Sequence, residues 1–426
     1  MTNTCDPRPT PLSGIFKGTF AYLTIRDRMP AILTKVIDQM SRLASQYYNS
    51  NSLSKAEDAK EIVSKLCKLK NEMQTNKVIR KLNDFSNDSD MWNQFIEKMP
   101  ILVEGETKPS WFTVAWLHCE CYMYRRIIET FLESNSKLFL GGKRFLSDEE
   151  AITTMEQYFG ELLENLYRDG TKLLEDYQYS LWSNKCDLSI SFNGNNQIKS
   201  ADEQNYLKAN IISNHTDQLW TYLDCMRLST GKGIITFVLD NVGFELFSDL
   251  CLADFLLTFK FCAEVHFYVK CMPWFVSDTT AKDFFWTIEQ CVNSTDKNIS
   301  DLGKKWQSYL DNNLFSIVED TFWTLPFDYS MLEQETPSLY SKLSKSKLIL
   351  FKGDLNYRKL FGDRNWPYTT NIKDASSGFL PAPWCTLRTL KAEVVVGLVP
   401  GISEKLETEL DNWMTSGVYG VVQFCI

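Results

Sequence analysis

The chain has 426 residues, more than one hydrophobic core usually holds, so we expect two domains. Its composition, with 44% apolar and 23% charged residues, is typical of a soluble globular protein. The net charge of −9 and the lack of a Lys/Arg block disfavour a general nucleic-acid binder. An anionic substrate would therefore be bound by a local cluster or a metal, not by the overall field.

Targeting signals and structural cysteine patterns are missing from the sequence. Met1–Gly14 is polar and lacks the apolar centre of a signal peptide, and no apolar run approaches the roughly 20 residues that span a bilayer. The 12 cysteines include no Cys-x-x-Cys pair, which favours reduced, mostly buried thiols. We therefore expect a soluble, cytoplasmic protein that binds neither membranes nor nucleic acid. The 3 histidines exclude a histidine-rich metal site.

The first part of the chain has apolar residues at helical spacing and no clear strand pattern. The predicted helices are Phe20–Ser45, Ala56–Met73, Trp111–Leu132 and Glu149–Leu174. We interpret residues 1–180 as a helical bundle domain. The charges of Tyr124-Arg125-Arg126 are expected to form salt bridges or to face solvent on a helix. A change of composition at Ser180–Ser189, followed by a polar loop at Asn193–Asp202, places the domain junction nearby.

Residues 181–426 alternate predicted strands and helices. The strands are Ile234–Leu239, Glu264–Lys270, part of Phe315–Trp323, Lys347–Phe351 and Gly417–Phe424. The helices are an amphipathic one that Glu245 opens, then Thr280–Val292, Ser338–Lys347 and Ser403–Trp413, with a further apolar element at Ala392–Val399. This alternation predicts an α/β fold, a doubly wound, mostly parallel Rossmann-like α/β/α sandwich.

The stretch Ile234–Glu245 is the most informative in the chain. An apolar run ends abruptly at Asp240 and Asn241, and Gly243 allows a turn into the next helix. In open α/β sheets, ligands bind outside the carboxyl ends of the strands. A plain Asp-Asn-Gly turn is the ordinary interpretation of such residues, so the assignment depends on what the following strands carry.

Three further polar stretches are interpreted as ends of strands: Phe275–Thr280 and Lys352–Lys359, which follow predicted strands, and Arg388–Lys391, before which no strand is assigned. A right-handed crossover makes the ends of successive parallel strands neighbours, so Asp240 and Asp278 can reach one point. Two carboxylates and a carboxamide oxygen suit Mg²⁺ or Mn²⁺. Arg358 and Lys391 would neutralise phosphate oxygens, which predicts metal-dependent phosphoryl transfer to water.

Each of these residues has an ordinary structural interpretation when it is taken alone. These interpretations are a helix cap for Asp278, a plain turn for Lys352-Gly353-Asp354 and a surface lysine for Lys391. Thr230-Gly231-Lys232-Gly233 resembles a phosphate-binding loop, but it precedes a strand and is rejected.

Together these motifs resemble the damage-control phosphatase family, in its sugar-phosphate subfamily with an Arg-Thr-x-Lys motif, also called the acidic residue methyltransferase family. The similar motifs are Asp240–Glu245, Pro273–Thr280, Lys352–Lys359 and Arg388–Lys391, and similarity extends to Phe20–Arg28, Cys121–Arg126 and Leu181–Ser189. The resemblance therefore covers nearly the whole chain.

The resemblance implies a helical N-terminal domain, an α/β/α sandwich and a bound Mn²⁺ or Ni²⁺. It implies that Asp240, Asn241 and Asp278 hold the metal and, with Lys391, form the catalytic set. It implies hydrolysis of small phosphorylated sugars such as fructose 1-phosphate and fructose 6-phosphate. The substrate contacts that it implies are Asp240, Asn241, Asp354, Leu355, Asn356, Tyr357, Arg358 and Lys391.

Three alternatives stay open at this point. Family members have also been assigned S-adenosylmethionine-dependent methylation of protein glutamates. Under this assignment Glu245 and Asp278 would lie near the methyl donor. Under the phosphatase assignment the same two residues would support the metal ligands. Within the phosphatase reading, a metal-activated hydroxide is the hypothesised nucleophile, and direct attack by Asp240 is the second choice. A non-catalytic binding protein with a vestigial metal site is the third class.

Overall fold

The computed structural model describes residues 8–133, Leu181, 209–228 and 233–426. These residues form two compact units. The first contains residues 8–133 together with Thr324–Phe327 and Asp363–Asn365, and the second contains the remaining described residues. The predicted helix Glu149–Leu174, the loop Asn193–Asp202 and the domain boundary between residues 180 and 181 lie outside the described ranges.

The first unit is helical, as the apolar spacing predicts. Its helices are α1 (Phe20–Leu23), which continues through the π-helical turn Thr24–Arg28 into α2 (Met29–Asn49), then α3 (Leu53–Gln74), α4 (Ser89–Glu97) and α5 (Trp116–Leu132). Helix α2 buries Leu33, Val36 and Met40 along one stripe, which is the 3.6-residue pattern of an amphipathic helix.

Helix α5 is buried over most of its length and carries an ion-pair network. The Arg125 guanidinium is fully buried and donates to the carboxylates of Asp84 and Asp88, with Nε–Oδ2 and Nη1–Oδ2 distances of 2.8 Å. Arg126 binds Glu129, with Nε and Oε2 2.9 Å apart. The predicted salt bridges of these arginines are confirmed. They tie the segment before α4 to α5.

The second unit is built on a seven-stranded sheet. Its strands are β1 (Ile211–Asn214), β2 (Ile234–Val238), β3 (Glu264–Val269), β4 (Phe315–Glu319), β5 (Ser346–Lys352), β6 (Trp384–Thr389) and β7 (Gly420–Cys425). Their order is β1-β7-β6-β5-β2-β3-β4, and every pair is parallel except β6 with β7. The predicted mixed α/β fold with a mostly parallel sheet is confirmed.

The helices of this unit connect the strands. They are α6 (Thr216–Leu228), α7 (Phe244–Thr258), α8 (Ala281–Val292), α9 (Lys297–Asp311), α10 (Leu332–Glu335), α11 (Pro337–Leu343), α12 (Gly353–Leu360), α13 (Ile372–Ala375) and α14 (Ile402–Glu409), with 3-10 turns at Thr321–Thr324 and Tyr329–Met331. Among the helices of the described ranges, none is long and apolar enough to cross a bilayer.

Two predicted elements differ from the structure. Helix α7 was expected to be amphipathic, but it is buried from Phe244 to Leu256, and the ammonium groups of Lys352 and Lys305 lie beside its carboxylates. The apolar segment Ala392–Val399 forms no regular element. The carbonyls of Ala392 and Val394 accept hydrogen bonds from Arg388, so side chains satisfy backbone groups that a helix or a sheet would otherwise satisfy.

Candidate active site

Four consecutive parallel strands end at one edge of the sheet. In spatial order they are β6, β5, β2 and β3. The stretches that start at Asp240, Lys352 and Arg388 begin at these ends or within two residues of them, and the stretch Phe275–Thr280 follows the end of β3 after a short loop. Because parallel strands present their carboxyl ends on the same side, the fold brings the four stretches to one edge.

Asp240 and Asn241 follow β2 and are both 4% exposed. The Asn241 amide nitrogen Nδ2 donates to Asp240 Oδ2 at 2.9 Å and to Glu245 Oε2 at 2.9 Å. Its oxygen Oδ1 accepts from the Ser277 hydroxyl at 2.6 Å. The backbone of Asn241 also forms an antiparallel bridge with Asp278. The structure therefore brings together Asp240, Asn241 and Asp278, which the sequence places on two different strand ends.

Asp278 sits at the end of a strained loop. Phe275 and Val276 have φ values of 43° and 71°, in the left-handed region that a β-branched residue rarely adopts. Tight contacts hold the loop there: the Asp278 amide donates to the Trp274 carbonyl at 3.0 Å, and the Val242 amide donates to the Ser277 carbonyl at 2.9 Å. Such strain is found where the surrounding structure fixes a functional side chain.

Two buried lysines contact the carboxylates of the site. One follows β3 and the other ends β5, which are the two strands that pair with β2. Lys270, directly after β3, has its Nζ 3.1 Å from Asp278 Oδ2 and 3.0 Å from the Leu239 carbonyl oxygen. Lys352, the last residue of β5, has its Nζ 3.4 Å from Glu245 Oε1 and 3.3 Å from Asp249 Oδ1.

The charges around Lys352 decide its ionisation. Burial by itself lowers the pKa of the Lys352 ammonium, but the carboxylates of Asp249, Glu245 and Asp240 outweigh burial and raise that pKa above its ordinary value. The side chain is fully buried, so its charge is balanced by these carboxylates and not by water. Lys352 is thus a fixed positive group behind the strand end.

Gly353 permits β5 to pass close to Asp240. Its φ is +76°, and a Cβ atom at this position would overlap the Asp240 carboxylate and come within 2.7 Å of the Asp240 Cβ. The expected close backbone approach at Gly353 is therefore directed at the Asp240 side chain.

The third and fourth stretches are joined by Asp354. Its Oδ1 accepts from Arg388 Nε at 2.8 Å and from the Lys391 amide at 3.2 Å. The Arg388 guanidinium also lies 4.1 Å from the centre of the Tyr357 ring and binds the Ala392 carbonyl at 2.9 Å. Asp354 thus holds the chain that carries Lys391, and its predicted contact with substrate stays a prediction.

The remaining predicted substrate residues lie on α12, and most of them face inward. The Asn356 amide donates to the Lys352 carbonyl at 2.6 Å, and its oxygen accepts from Tyr329 at 2.5 Å. The Tyr357 hydroxyl donates to Gln423, and burial raises the pKa of that hydroxyl to about 12. Leu355 and Arg358 are buried on the same helix. The substrate contacts of these four residues stay predictions.

Asp240, Asn241 and Asp278 lie together after the ends of β2 and β3, and we call this site and the buried side chains around it the corner. Its oxygen donors fit a hard divalent cation. Within the described ranges, no group of three His, Cys, Asp or Glu side chains could hold a metal ion. A metal here would therefore use the Asp240 and Asp278 carboxylates and the Asn241 carboxamide oxygen, and would complete its shell with water and substrate oxygens, as Mg²⁺ and Mn²⁺ do. The carboxylates of Asp240, Glu245, Asp249 and Asp278 are all buried, and the buried ammonium groups of Lys270 and Lys352 contact three of them, Asp278, Glu245 and Asp249.

Comparison with known proteins shows the family of the chain. The family model described as "Damage-control phosphatase ARMT1-like domain" matches residues 24–406. The chain belongs to this family. It is 44% identical to the protein named Damage-control phosphatase ARMT1 of Xenopus tropicalis, with 98% of this chain and 99% of that protein covered. The proteins of that name from Bos taurus and Homo sapiens are each 43% identical, with 98% of both chains covered.

Sequence reasoning assigned no role to Lys270, Lys352, Ser277 or Arg388 as partners of site residues. A signal for the lysines does exist, because each interrupts an otherwise apolar strand end that points toward the corner. A lysine at such a position is buried only when carboxylates are brought to it, and here they come from other elements.

Proposed function

We propose that this chain is a divalent-metal-dependent phosphatase that hydrolyses small phosphorylated sugars, with fructose 1-phosphate and fructose 6-phosphate as the expected substrates. The observation that carries the proposal is the convergence of Asp240, Asn241 and Asp278 at the edge of the sheet where β5 and β6 also end. The chain continues from β5 into the helix that carries Arg358 and from β6 to Lys391. The names of the similar proteins, damage-control phosphatases, support the reaction class.

In this proposal the oxygens of Asp240, Asn241 and Asp278 would hold Mn²⁺ or Ni²⁺, with Mg²⁺ as a further choice. When bound, the metal would polarise the phosphate and acidify a water molecule. Lys270 keeps the Asp278 carboxylate in place from behind, because its Nζ lies 3.1 Å from Oδ2 and is itself held by the Leu239 carbonyl.

Lys391 and Arg358 would neutralise the phosphate oxygens of the substrate. The Lys391 backbone is fixed through Asp354, and Asp354 is in turn fixed by Arg388. A positively charged group that is held in place before the substrate arrives needs little reorganisation during the reaction. The proposal therefore gives Arg388 and Asp354 the role of orienting Lys391.

The methyltransferase alternative places Glu245 beside a methyl donor. In the structure Glu245 is 1% exposed and accepts a hydrogen bond from Asn241. This position suits a residue that supports the metal ligands, so the phosphatase is the function that we prefer.

The test is phosphate release from fructose 1-phosphate, fructose 6-phosphate and an aryl phosphate, with Mn²⁺ or Ni²⁺ added. We expect the sugar phosphates to be hydrolysed with the higher kcat/KM, and Lys391→Met to lower that value. Lys405→Met is the matched control, because Lys405 is an exposed lysine that pairs with Glu409 on α14. No release from any of the three esters, with methyl transfer from S-adenosylmethionine to a protein carboxylate in the same preparation, would reverse the proposal.

A further inference from the structure

The hydrogen bonds of the Asn241 side chain leave only one position for a ligand. Both hydrogens of Nδ2 are used, one by Asp240 Oδ2 and one by Glu245 Oε2. The oxygen Oδ1 accepts one hydrogen bond, from Ser277, and an amide oxygen has two lone pairs. The remaining lone pair of Oδ1 is therefore the only unused polar capacity of this carboxamide among the hydrogen bonds described.

The rotation of this amide is determined by its neighbours. A carboxylate accepts hydrogen bonds and cannot donate them, so two carboxylates on one side of the amide require the NH₂ group there. Turning the amide by 180° would place Oδ1 against Asp240 and Glu245 and would break both hydrogen bonds. Of these two carboxylates, Asp240 is itself an expected metal ligand, whereas Glu245 lies behind Asn241 on the first turn of α7.

Glu245 is held independently of any ligand. Its second oxygen, Oε1, lies 3.4 Å from the buried Nζ of Lys352, which also contacts Asp249. The lysine and the helix start together keep the Glu245 carboxylate beside the amide. Both oxygens of Glu245 thus contact other side chains, Oε2 the Asn241 amide and Oε1 the Lys352 ammonium.

We propose that Glu245 is a positioning residue that fixes the Asn241 carboxamide with its oxygen toward the metal. The inference rests on the proposed metal-dependent phosphatase function. It extends that function because it assigns a role to the buried Glu245–Lys352 pair. The pair determines which of its two orientations the Asn241 carboxamide adopts.

The test is the Mn²⁺ dissociation constant of the full-length, metal-stripped protein, measured by titration without substrate. Glu245→Gln keeps the size of the side chain but lets it donate to Asn241 Oδ1, which allows the amide to turn its nitrogen toward the metal. We expect Mn²⁺ to bind about tenfold more weakly or worse, as is usual when a residue behind a metal ligand is changed.

The matched background is Asn241→Asp, because a carboxylate presents oxygen whichever way it turns. In this background Glu245→Gln also removes a carboxylate that repels the new one. We therefore expect Glu245→Gln to leave Mn²⁺ affinity unchanged or to increase it. If Glu245 acted only through its charge, or only by stabilising α7, the same change would weaken Mn²⁺ binding in both backgrounds, and this result would overturn the inference.

Two further outcomes keep this test separate from the proposed function. A wild-type protein that binds no Mn²⁺ would defeat the proposed function and the inference together. A wild-type protein that binds Mn²⁺ and is unaffected by Glu245→Gln would defeat the inference alone. If the single variant does not fold, the comparison of Asn241→Asp with the double variant still decides, because weaker binding in the double variant contradicts the proposed role.

Ser277→Ala provides a variant at the other side of the same amide. It removes the hydrogen bond to Oδ1 but leaves both carboxylates that fix the NH₂ group. We expect a smaller loss of Mn²⁺ affinity than in Glu245→Gln. An equal or larger loss would show that Ser277, and not Glu245, sets the orientation.

Discussion

Gly353 is the residue at which backbone conformation and the candidate site are most directly coupled. Its left-handed φ of +76° and the overlap of a Cβ with Asp240 both disfavour any larger residue. Gly353→Ala should lower the free energy of unfolding by more than about 2 kcal/mol, since the left-handed penalty alone is about 1–2 kcal/mol. It should also reduce kcat/KM for sugar phosphates by about a hundredfold, because the Asp240 carboxylate must move.

Gly378→Ala is the matched control for this prediction. Gly378 has a φ of +81°, and no atom lies within 4 Å of an added Cβ. It should lose only the conformational penalty, about 1–2 kcal/mol in denaturant unfolding, and keep its turnover. Equal activity losses in the two variants would show that contact with Asp240 is not the reason for the glycine.

At the scale of single residues, the sequence predicted the strand-terminal oxygens but not their support. Asp240 and Asn241 stand out because an apolar run ends at them. Lys352 interrupts the end of an apolar strand, but the sequence does not show its partners, because the carboxylates of Glu245 and Asp249 belong to a helix elsewhere in the chain. Burial of a charged residue depends on such distant partners, which periodicity cannot show.

Among the structural elements, the loop between β3 and α8 is held in a strained form. Val276 is a β-branched residue in the left-handed region, where the backbone strain is about 1–3 kcal/mol. Val276→Gly relieves this strain, but glycine also increases the conformational entropy of the unfolded chain, which offsets part of the gain. We expect the free energy of unfolding to rise by about 1 kcal/mol, and kcat/KM to fall by about tenfold because Asp278 is less firmly placed. Denaturant unfolding and steady-state kinetics measure the two effects.

Lys260→Gly is the control for the loop. Lys260 also has a left-handed φ, of 63°, but it follows the C-terminal end of α7. It should gain stability without losing turnover. If Val276→Gly left kcat/KM unchanged, the strain in the loop would have no part in placing Asp278.

Helix α5 and the segment before α4 give a prediction about acid stability. Burial by itself raises the pKa of the Asp84 carboxyl, but hydrogen bonds from Arg125 and Ser89 outweigh it and hold that pKa well below its ordinary value. The stabilisation is thus present above the unfolded pKa of about 4 and is lost as the pH falls toward the folded value. Asp84→Asn should lower stability at pH 7 by about 3 kcal/mol and flatten the decline of stability below about pH 4.

The control for the acid prediction is Asp38→Asn. Asp38 forms an exposed ion pair with Arg42 on α2, with 56% of its side chain accessible. Urea unfolding at pH 7, 4 and 3 should give the wild-type pH dependence for this variant. An Asp84→Asn protein with the same acid dependence as the wild type would contradict the role assigned to Arg125.

The elements that were predicted poorly share one physical cause. Ala392–Val399 reads as apolar and therefore as regular structure, yet Arg388 and Tyr357 satisfy its backbone groups. Helix α7 reads as amphipathic because it contains Glu245 and Asp249, yet Lys352 pairs with both inside the protein. In each case a side chain from another element contacts the polar group. The sequence pattern by itself predicts solvent, or the backbone of a neighbouring strand or helical turn, in that place.

For the whole molecule, the alternation of strands and helices was sufficient to predict the mostly parallel α/β fold. It was not sufficient for the strand order, in which β1 pairs with β7 and β6 runs antiparallel to β7. Strand β6, Trp384–Thr389, was not predicted as a strand, although its end carries the Arg-Thr-x-Lys motif. Strand order depends on long-range pairing, and a single sequence contains little information about it.

Metal binding should increase the free energy of unfolding of the whole chain. A ligand present at about 100 times its dissociation constant stabilises the folded state by about 2.7 kcal/mol. Mn²⁺ added to the metal-stripped protein should therefore raise Tm, and Asp240→Ala should show no such rise. A rise of the same size in the variant would mean that Mn²⁺ binds elsewhere in the chain.

The most direct test of the account is phosphate release from fructose 1-phosphate by metal-stripped protein, before and after addition of Mn²⁺. The comparison uses the wild type, Asp240→Asn and Asp254→Asn, since Asp254 is an equally buried carboxylate on α7 that pairs with Lys305. We predict that turnover returns with Mn²⁺ in the wild type and in Asp254→Asn, and is lower by more than about a hundredfold in Asp240→Asn. Turnover that survives metal removal, or that persists in Asp240→Asn, would contradict the assignment of this corner as the active site.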